Sequence, residues 1–314
     1  MTEVQHTARL DGLGLRLLAA SARHGSALLA TGIFAGLLVP PLAHAFRIVI
    51  APQVVGLVTL ILLRVDIPAA FAHLRRPLRL AGVVAFQLLA CPVLASAVVH
   101  VLPIERGIAN GVVIFSTGCA ATSSPAFARL VNLDPELTLL ATLATTLLVP
   151  LTAPPIAYAL MGVDLAISML GFMARLLLMV GLPLLLSLAL RRIFGPERLE
   201  PYGPAFDGIV VWLVVFYGFG VMDGTLARVL ADPRWVGVAA IAAFAANFGL
   251  NFVSAAAFAW IGKRAAASVG LMSGNRNMAL YFAVLPAAAD PRVALFIVIC
   301  QFPLFLSPFL LRPV

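Results

Sequence analysis

Residues 107–131 read GIANGVVIFSTGCAATSSPAFARLV, an apolar segment interrupted by the polar stretch from Ser116 to Pro125. The whole segment is long enough to cross a bilayer core of roughly 30 Å, which takes about 20 helical residues. Its centre, however, combines hydroxyls, small residues and a proline that disrupts a helix. Irregular backbone at membrane depth is tolerated only where protein or a water-filled cavity surrounds it. The stretch therefore predicts a broken membrane helix that lines a cavity.

A second interruption lies nearer the other end of the chain, where Ser273-Gly274-Asn275-Arg276-Asn277 separates two apolar flanks. A charged side chain in mid-span is costly, and such residues mark solute or ion pathways. We predict that Asn275, Arg276 and Asn277 belong to a functional site, the alternative being a purely structural role.

The composition is typical of a polytopic, all-helical membrane protein. Hydrophobic residues make up 62% of the 314 residues and charged residues 11%, and the mean hydropathy is +1.06. A soluble domain carries about 25% charged residues. We predict ten membrane-spanning helices, at residues 26–46, 47–64, 78–102, 107–131, 136–161, 165–190, 205–222, 235–262, 265–288 and 292–311.

The cations test this count, because loops on the cytoplasmic side are enriched in Lys and Arg. With residues 1–25 as a cytoplasmic N-terminal segment, the ten spans put fourteen cations on the cytoplasmic side and five on the other, with Arg175 and Arg276 inside spans. The pattern predicts a multi-pass protein of the inner (plasma) membrane with both termini in the cytoplasm. The fourteen are Arg9, Arg16, Arg23, Arg64, Arg75, Arg76, Arg79, Arg129, Arg191, Arg192, Arg198, Lys263, Arg264 and Arg312.

Several kinds of partner are not indicated. The net charge of +8 comes from short loops without interleaved aromatic residues, which argues against nucleic-acid binding. The three cysteines lie far apart in apolar runs, so they indicate neither a disulfide framework nor a zinc site. No cofactor is expected apart from a coupling ion, sodium or a proton. No pairing of polar residues typical of an intramembrane enzyme is visible, so we expect no catalytic residues.

The two halves of the chain carry a similar order of landmarks. In each half a broken span leads through an Asp-Pro turn into a helix with two prolines near its end. Five spans per half is an odd number, so the second copy inserts upside down, which predicts inverted repeats at residues 26–161 and 165–311. Inverted repeats with discontinuous helices are typical of secondary transporters. The landmarks are Gly118-Cys119, Asp134-Pro135, Pro150 and Pro154 in the first half, and Gly274-Asn275, Asp290-Pro291, Pro303 and Pro308 in the second.

At these residues the chain resembles the bile acid:sodium symporter family. The resemblance covers most of the chain and rests on Leu74-Arg75-Arg76-Pro77, Gln87 with Pro92, Gly118-Cys119, Pro150 with Pro154, and Gly274 to Leu280. It implies a panel domain, a core domain in which helices 4 and 9 unwind and cross, and a small organic anion as substrate. It also implies sodium sites behind the crossing, for which this chain retains Gln87, Thr122, Ser123, Ser124, Thr145 and Thr146.

Other positions depart from the family pattern. An ungapped placement puts the family's sodium-binding Glu on Met272, its Gln on Arg276 and its Asn near Pro125. Because a guanidinium stays protonated, Arg276 would place a permanent positive charge where a cation binds. We hypothesise that Arg276 replaces one sodium ion, either as a counter-ion that holds the crossing together or as a contact for the anion.

The alternatives are a sodium-coupled symporter with a rearranged site, a member of the arsenite-efflux branch with Cys119 as the relevant residue, and a solute receptor that does not transport. Gln87, Thr145 and Thr146, like Asn247 and Asn251, also have a simpler interpretation as interhelical hydrogen bonds. Proton coupling would need a carboxylate, for which Asp207 and Asp223 are the candidates near membrane depth.

Overall fold

The computed structural model describes residues 13–23, 25–65, 77–161, 167–285 and 290–311. Within these ranges the chain is helical, and the only β-type pairing is one isolated bridge. The helices are α1 Leu13–Arg23, α2 Gly25–Leu38, α3 Pro40–Arg47, α4 Ile50–Leu63, α5 Pro77–Val101, α6 Arg106–Thr117, α7 Ser124–Leu130, α8 Pro135–Met161, α9 Met169–Phe194, α10 Pro196–Leu199, α11 Gly203–Val221, α12 Thr225–Ala231, α13 Pro233–Ala257, α14 Lys263–Gly274, α15 Met278–Val284, α16 Pro291–Ile299 and α17 Gln301–Leu310.

Five of these helical stretches are long and apolar enough to cross a membrane, and a sixth is obtained if α3 and α4 together make one bent span. The described residues thus form a multi-pass membrane protein. The ten predicted spans are matched in position by helices, but four of them are divided into shorter pieces. The five stretches are Pro77–Val101, Pro135–Met161, Met169–Phe194, Pro196–Ala231 and Pro233–Ala257.

The prediction of one continuous helix over residues 26–46 is wrong, because α2 ends at Leu38 and α3 begins at Pro40. Val39 between them has an extended backbone, with φ −121° and ψ 80°. A residue that precedes proline is sterically biased away from the helical region, and Pro40 and Pro41 donate no backbone hydrogen bond. The two prolines therefore account for the break.

The chain folds as two compact units, residues 1–69 with 179–230, and residues 70–178 with 231–314. In the first unit, α11 packs against α1, α2, α3 and α4. Glycines allow this close packing: a Cβ on Gly36 would lie 2.7 Å from the Cα of Phe219, and one on Gly220 would lie 2.8 Å from the carbonyl oxygen of Phe46.

The second unit contains both of the broken helices that the sequence predicts. Its helices α13 and α14 pack closely, and Gly270 and Gly274 lie one turn apart on the α14 face that meets Asn247 and Asn251. Small residues spaced by four let two helix backbones approach. In α5 of the same unit, Phe86–Ala90 forms a π-helical turn in which the Cys91 amide donates to the Phe86 carbonyl.

Glu105 joins three helix ends of the second unit. Its carboxylate accepts hydrogen bonds from Nη1 of Arg292 at 2.8 Å, Nε1 of Trp235 at 2.9 Å and the amide of Ile108 at 3.2 Å. Partial burial acts to raise the pKa of Glu105, but these hydrogen bonds and one from Gly107 outweigh it and lower the pKa below the usual glutamate value. The side chain thus ties α6, α13 and α16 together in its charged form.

Candidate functional site

The two helix breaks meet in the second unit. Helix α6 ends at Thr117 and α14 ends at Gly274, and beyond each end the backbone is extended. Ala120 and Arg276 form an antiparallel bridge, in which the amide of Ala121 donates to the carbonyl of Asn275 at 2.8 Å and the amide of Asn277 donates to that of Cys119 at 2.9 Å. Unwound backbone in a membrane needs such partners, and here each broken segment supplies them to the other. We call residues 118–121 and 275–277 the crossing.

Two glycines permit this approach. A Cβ on Gly118 would lie 2.7 Å from Cε of Met278 and 3.3 Å from Cβ of Arg276. A Cβ on Gly274 would collide with the side chain of Asn251 and the carbonyl of Asn247. Gly274 therefore requires glycine, because a backbone carbonyl occupies the space of a side chain, whereas at Gly118 the nearest atom is the mobile end of the Met278 side chain.

Arg276 is fully buried in the crossing. Its Nε donates to the carbonyl of Ser273 and its Nη1 donates to the carbonyl of Gly118, both at 2.7 Å. Its Nη2 has no hydrogen-bond partner. None of the ion pairs formed by the described residues includes Arg276. The guanidinium is thus a buried permanent charge whose bound partners are backbone carbonyls.

The carbonyls of Gly118 and Ser273, which accept from Arg276, both lie at C-terminal ends of helices. Gly118 caps the C-terminal end of α6, and Ser273 lies in the last turn of α14. The C-terminal end of a helix carries roughly half a negative charge. In transporters built from inverted repeats, such half-helix ends and unwound carbonyls bind the coupling cation. Arg276 places a covalently attached cation between two such ends.

Asn275 is held by residues far from it in the sequence. Asn247 Nδ2 donates to the carbonyl of Gly274 at 2.7 Å and to Oδ1 of Asn275 at 3.1 Å, while Asn275 Nδ2 donates to Oγ of Ser307 at 2.7 Å. The prediction that Asn247 makes an interhelical hydrogen bond is correct, and both of its acceptors lie at the second break. Asn251 instead donates within its own helix, to Asn247.

Tyr281 on α15 is a site residue that the sequence analysis missed. Its hydroxyl lies 2.9 Å from Oγ1 of Thr117 at the end of α6. Thr117 donates to the carbonyl of Ile114, so Tyr281 is the donor of the shared bond. A tyrosine hydroxyl within an apolar run needs a partner when it is buried, and that signal identifies Tyr281. The bond links a half-helix from each break.

A further basic residue, Arg175 of α9, caps the C-terminal end of α15. Its Nη1 donates to the carbonyl of Val284 at 3.0 Å. Val284 is the last residue of α15, and cations near helix C-terminal ends are favourable. The second arginine that the sequence places inside a span thus also neutralises a half-helix end.

Several buried polar atoms around the crossing have no partner. They belong to α5, α7, α8, α14 and the crossing itself, and three of these helices, α5, α8 and α14, share an apolar cluster with Ala120 of the crossing. These atoms are Nε2 and Oε1 of Gln87, Oγ of Ser124, Oγ1 of Thr142, Oγ1 of Thr146, Oγ of Ser273 and Nη2 of Arg276. Because buried polar groups are normally hydrogen-bonded, such a group of unpartnered atoms is typical of a binding site.

Gln87 lies in the π-helical turn of α5. Pro92 has no amide hydrogen to donate to the carbonyl four residues before it, and its ring crowds that carbonyl. The helix widens at this point, and π-helical turns occur frequently at functional sites. The proline five residues after Gln87 therefore accounts for the local geometry of the predicted ligand.

The remaining predicted hydroxyls differ in their surroundings. Thr145 already accepts the amide of Ala120 at 3.3 Å and donates to the carbonyl of Ala141, so it supports the crossing. Thr146 is buried beside the thiol of Cys119. Thr122 and Ser123 lie between the crossing and α7 and are only partly buried.

Met272 is fully buried in the apolar cluster with Leu88 and Ala141. The position that the resemblance assigns to a sodium-binding carboxylate therefore holds a thioether packed against hydrocarbon.

Comparison with known proteins identifies the family. The profile of the "Sodium Bile acid symporter family" matches residues 54–222, which is more than half of the chain. The matched range includes the break between α6 and α7 and ends before α14, the first helix of the second break. No curated protein sequence matches the chain. With this profile match over the first broken helix, the chain belongs to the sodium bile acid symporter family, whose members are membrane transporters.

Proposed function

We propose that this chain is a secondary transporter that carries a small organic anion by alternating access, with Arg276 in place of one bound cation. The single observation that carries the proposal is the pair of 2.7 Å bonds from Arg276 to carbonyls at the ends of α6 and α14. The guanidinium already supplies the positive charge between these two helix ends, and a second cation about 5 Å away would be repelled by roughly 3 kcal/mol at an effective dielectric constant near 20. The crossing thus disfavours a further cation, and Nη2 of Arg276, which has no partner, remains as a donor for an anion.

The proposed architecture is ten spans in two inverted repeats, residues 26–161 and 165–311, with both termini in the cytoplasm of a cell whose plasma membrane holds the protein. The repeats are supported by matching helix lengths: α6 and α14 each have 12 residues, and α7 and α15 each have 7. After each break an aspartate, Asp134 or Asp290, accepts a backbone amide at the start of the next helix. The two compact units agree with a panel and a core.

A sodium-coupled symporter with a rearranged site is the second candidate. It is supported by the unpartnered oxygens of Gln87, Ser124 and Thr142, since hard cations bind oxygen ligands. Proton coupling has weaker support. Asp207 lies 3.4 Å from Arg64, and Asp223 lies 3.7 Å from Arg47, so each carboxylate already faces a cation.

The test is uptake of labelled organic anions into proteoliposomes, with an inward sodium gradient or with choline instead, at matched membrane potential. We expect uptake that does not depend on sodium, and a loss of at least about tenfold in Arg276→Gln, because a bond that a charged group makes contributes about 1.5–3 kcal/mol. Arg276→Lys keeps the positive charge but lacks the planar guanidinium with its several donors, so it should retain part of the activity. Arg198→Gln, which removes an exposed cation, is the control.

Sodium-stimulated uptake by the wild type would overturn the replacement of sodium by Arg276 and favour the second candidate. Binding of an anion without counterflow would overturn transport itself and identify a receptor.

A further inference from the structure

A basic cavity in the second unit lies apart from the crossing. It has a volume of about 540 Å³, opens to the surface, and is lined by Arg79 of α5, Asp134 ahead of α8, and Gly262, Lys263 and Arg264 at the start of α14. Three cationic side chains therefore face one carboxylate. Oδ1 of that carboxylate already accepts the amide of Leu137 as a helix cap. The cavity has a surplus of positive charge.

The two arginines are held by carbonyl and amide oxygens rather than by acidic partners. Arg264 donates from Nε to the carbonyl of Asn132 at 3.0 Å and from Nη2 to Oδ1 of Asn132 at 2.8 Å. Arg79 donates from Nη2 to the carbonyl of Ile261 at 3.3 Å, and its buried Nε has no partner. Lys263 is exposed at the rim. Guanidinium groups fixed in this way present donors that a phosphate oxygen accepts.

The backbone of α14 adds to this field. The helix begins at Lys263, and its N-cap residue Gly262, at φ 100°, has no side chain to cap the first amides. The N-terminal end of a helix attracts anions through these amides and the helix dipole. The uncapped end lies in the wall of the cavity. The backbone and the cationic side chains therefore both favour an anionic ligand.

Two residues that are next in sequence to lining residues of the cavity are apolar and exposed. Leu78, which precedes Arg79, is 87% exposed, and Trp260, which precedes Ile261, is 76% exposed. Tryptophan is enriched where hydrocarbon meets the headgroups of a membrane. Arg79, Lys263 and Arg264 also belong to the cations that the sequence pattern places on the cytoplasmic side. Basic pockets between membrane helices on that side bind lipid headgroups.

We propose that this cavity binds a phosphate group, and that an anionic phospholipid headgroup supplies it, with its acyl chains lying along Leu78 and Trp260. The proposal is independent of the transported solute and of the crossing, because no residue of the crossing lines the cavity.

The experiment uses the purified full-length chain in nanodiscs of phosphatidylcholine with increasing fractions of phosphatidylglycerol, with bound lipid counted by native mass spectrometry and thermal unfolding followed in parallel. We expect phosphatidylglycerol to be retained and to raise the melting temperature. Lys263→Gln should weaken retention about fivefold, the equivalent of roughly 1 kcal/mol per cation near the surface, and Arg79→Gln should do so by at least as much. Because Lys263 is exposed, its substitution leaves the fold intact even if Arg79→Gln does not.

Arg198→Gln, which removes an exposed cation elsewhere, should retain the lipid as the wild type does. Equal retention by wild type and Lys263→Gln, or equal loss in Arg198→Gln, would overturn the site. A separate arm adds inorganic phosphate to the protein in neutral detergent. Stabilisation by phosphate that Lys263→Gln removes, without retention of phosphatidylglycerol, would keep the phosphate site and overturn its assignment to a lipid.

Discussion

The side chain of Asn247 donates a 2.7 Å hydrogen bond to the backbone carbonyl of Gly274, the last residue of α14. A residue on an unbroken helix, α13, thereby satisfies a carbonyl that the second break leaves without a helical partner. The same amide also bonds Oδ1 of Asn275. The Asn247 side chain therefore links α13 both to the end of α14 and to the crossing.

Asn247→Ala should destabilise the protein by about 1 kcal/mol, within the range measured for polar contacts between membrane helices, because it leaves both buried acceptors without this donor. Thermal or denaturant unfolding in detergent measures the change. Asn251→Ala is the matched control, since the Asn251 side chain donates within α13 and its loss should cost less than half as much. Equal costs for the two variants would contradict the role assigned to Asn247.

Gly274→Ala should be among the most damaging small substitutions in the chain. Its Cβ would overlap the carbonyl of Asn247 and the side chain of Asn251, and overpacking of this kind costs about 3 kcal/mol. Gly249→Ala on α13 is the control, because no atom lies within 4 Å of its added Cβ and alanine is the better helix former. The measurement is the melting temperature of both variants in the same detergent, and a Gly274→Ala variant as stable as Gly249→Ala would be inconsistent with the close packing.

The bond between Tyr281 and Thr117 should appear as a coupling energy. A double-mutant cycle with Tyr281→Phe and Thr117→Val should give an interaction energy of about 1 kcal/mol, the usual net contribution of one hydrogen bond. Each substitution nearly conserves volume, so the cycle isolates the bond. Strictly additive effects on the free energy of unfolding would mean that the two half-helices are not joined through these hydroxyls.

Glu105 should make stability depend on pH at the acidic end. Because the pKa of Glu105 is lowered in the folded state, the stability that its carboxylate contributes is present above the usual glutamate pKa of about 4.3. It is lost as pH falls through the lower, folded value. The melting temperature of the wild type should exceed that of Glu105→Gln at pH 7, and the difference should shrink below about pH 4. A difference that stays constant from pH 7 to pH 3 would exclude this linkage.

The sequence predicts the two breaks well because their causes are local. Hydroxyls, glycine and a proline around Gly118, and the polar pentapeptide around Arg276, are incompatible with a lipid-facing helix whatever surrounds them. The break at Pro40 has a local cause as well, the proline pair Pro40 and Pro41, but the long apolar run around the pair predicts one continuous span. The hydrogen-bond partners of the crossing are harder to predict from the sequence. Asn275 bonds Asn247 and Ser307, 28 and 32 residues away, and spacing along one helix gives no information about such pairs.

The guanidinium of Arg276 differs from a dissolved ion in having no concentration. A sodium ion that binds between two half-helix ends arrives and leaves, so its chemical potential on each side of the membrane can be converted into work. A cation attached by covalent bonds stays in the same position throughout the transport cycle, whichever side of the membrane the site faces. Under the proposed function, no ion gradient can therefore act through this position, and the direction of net flux at the crossing follows from the solute's own electrochemical gradient and whatever binds elsewhere.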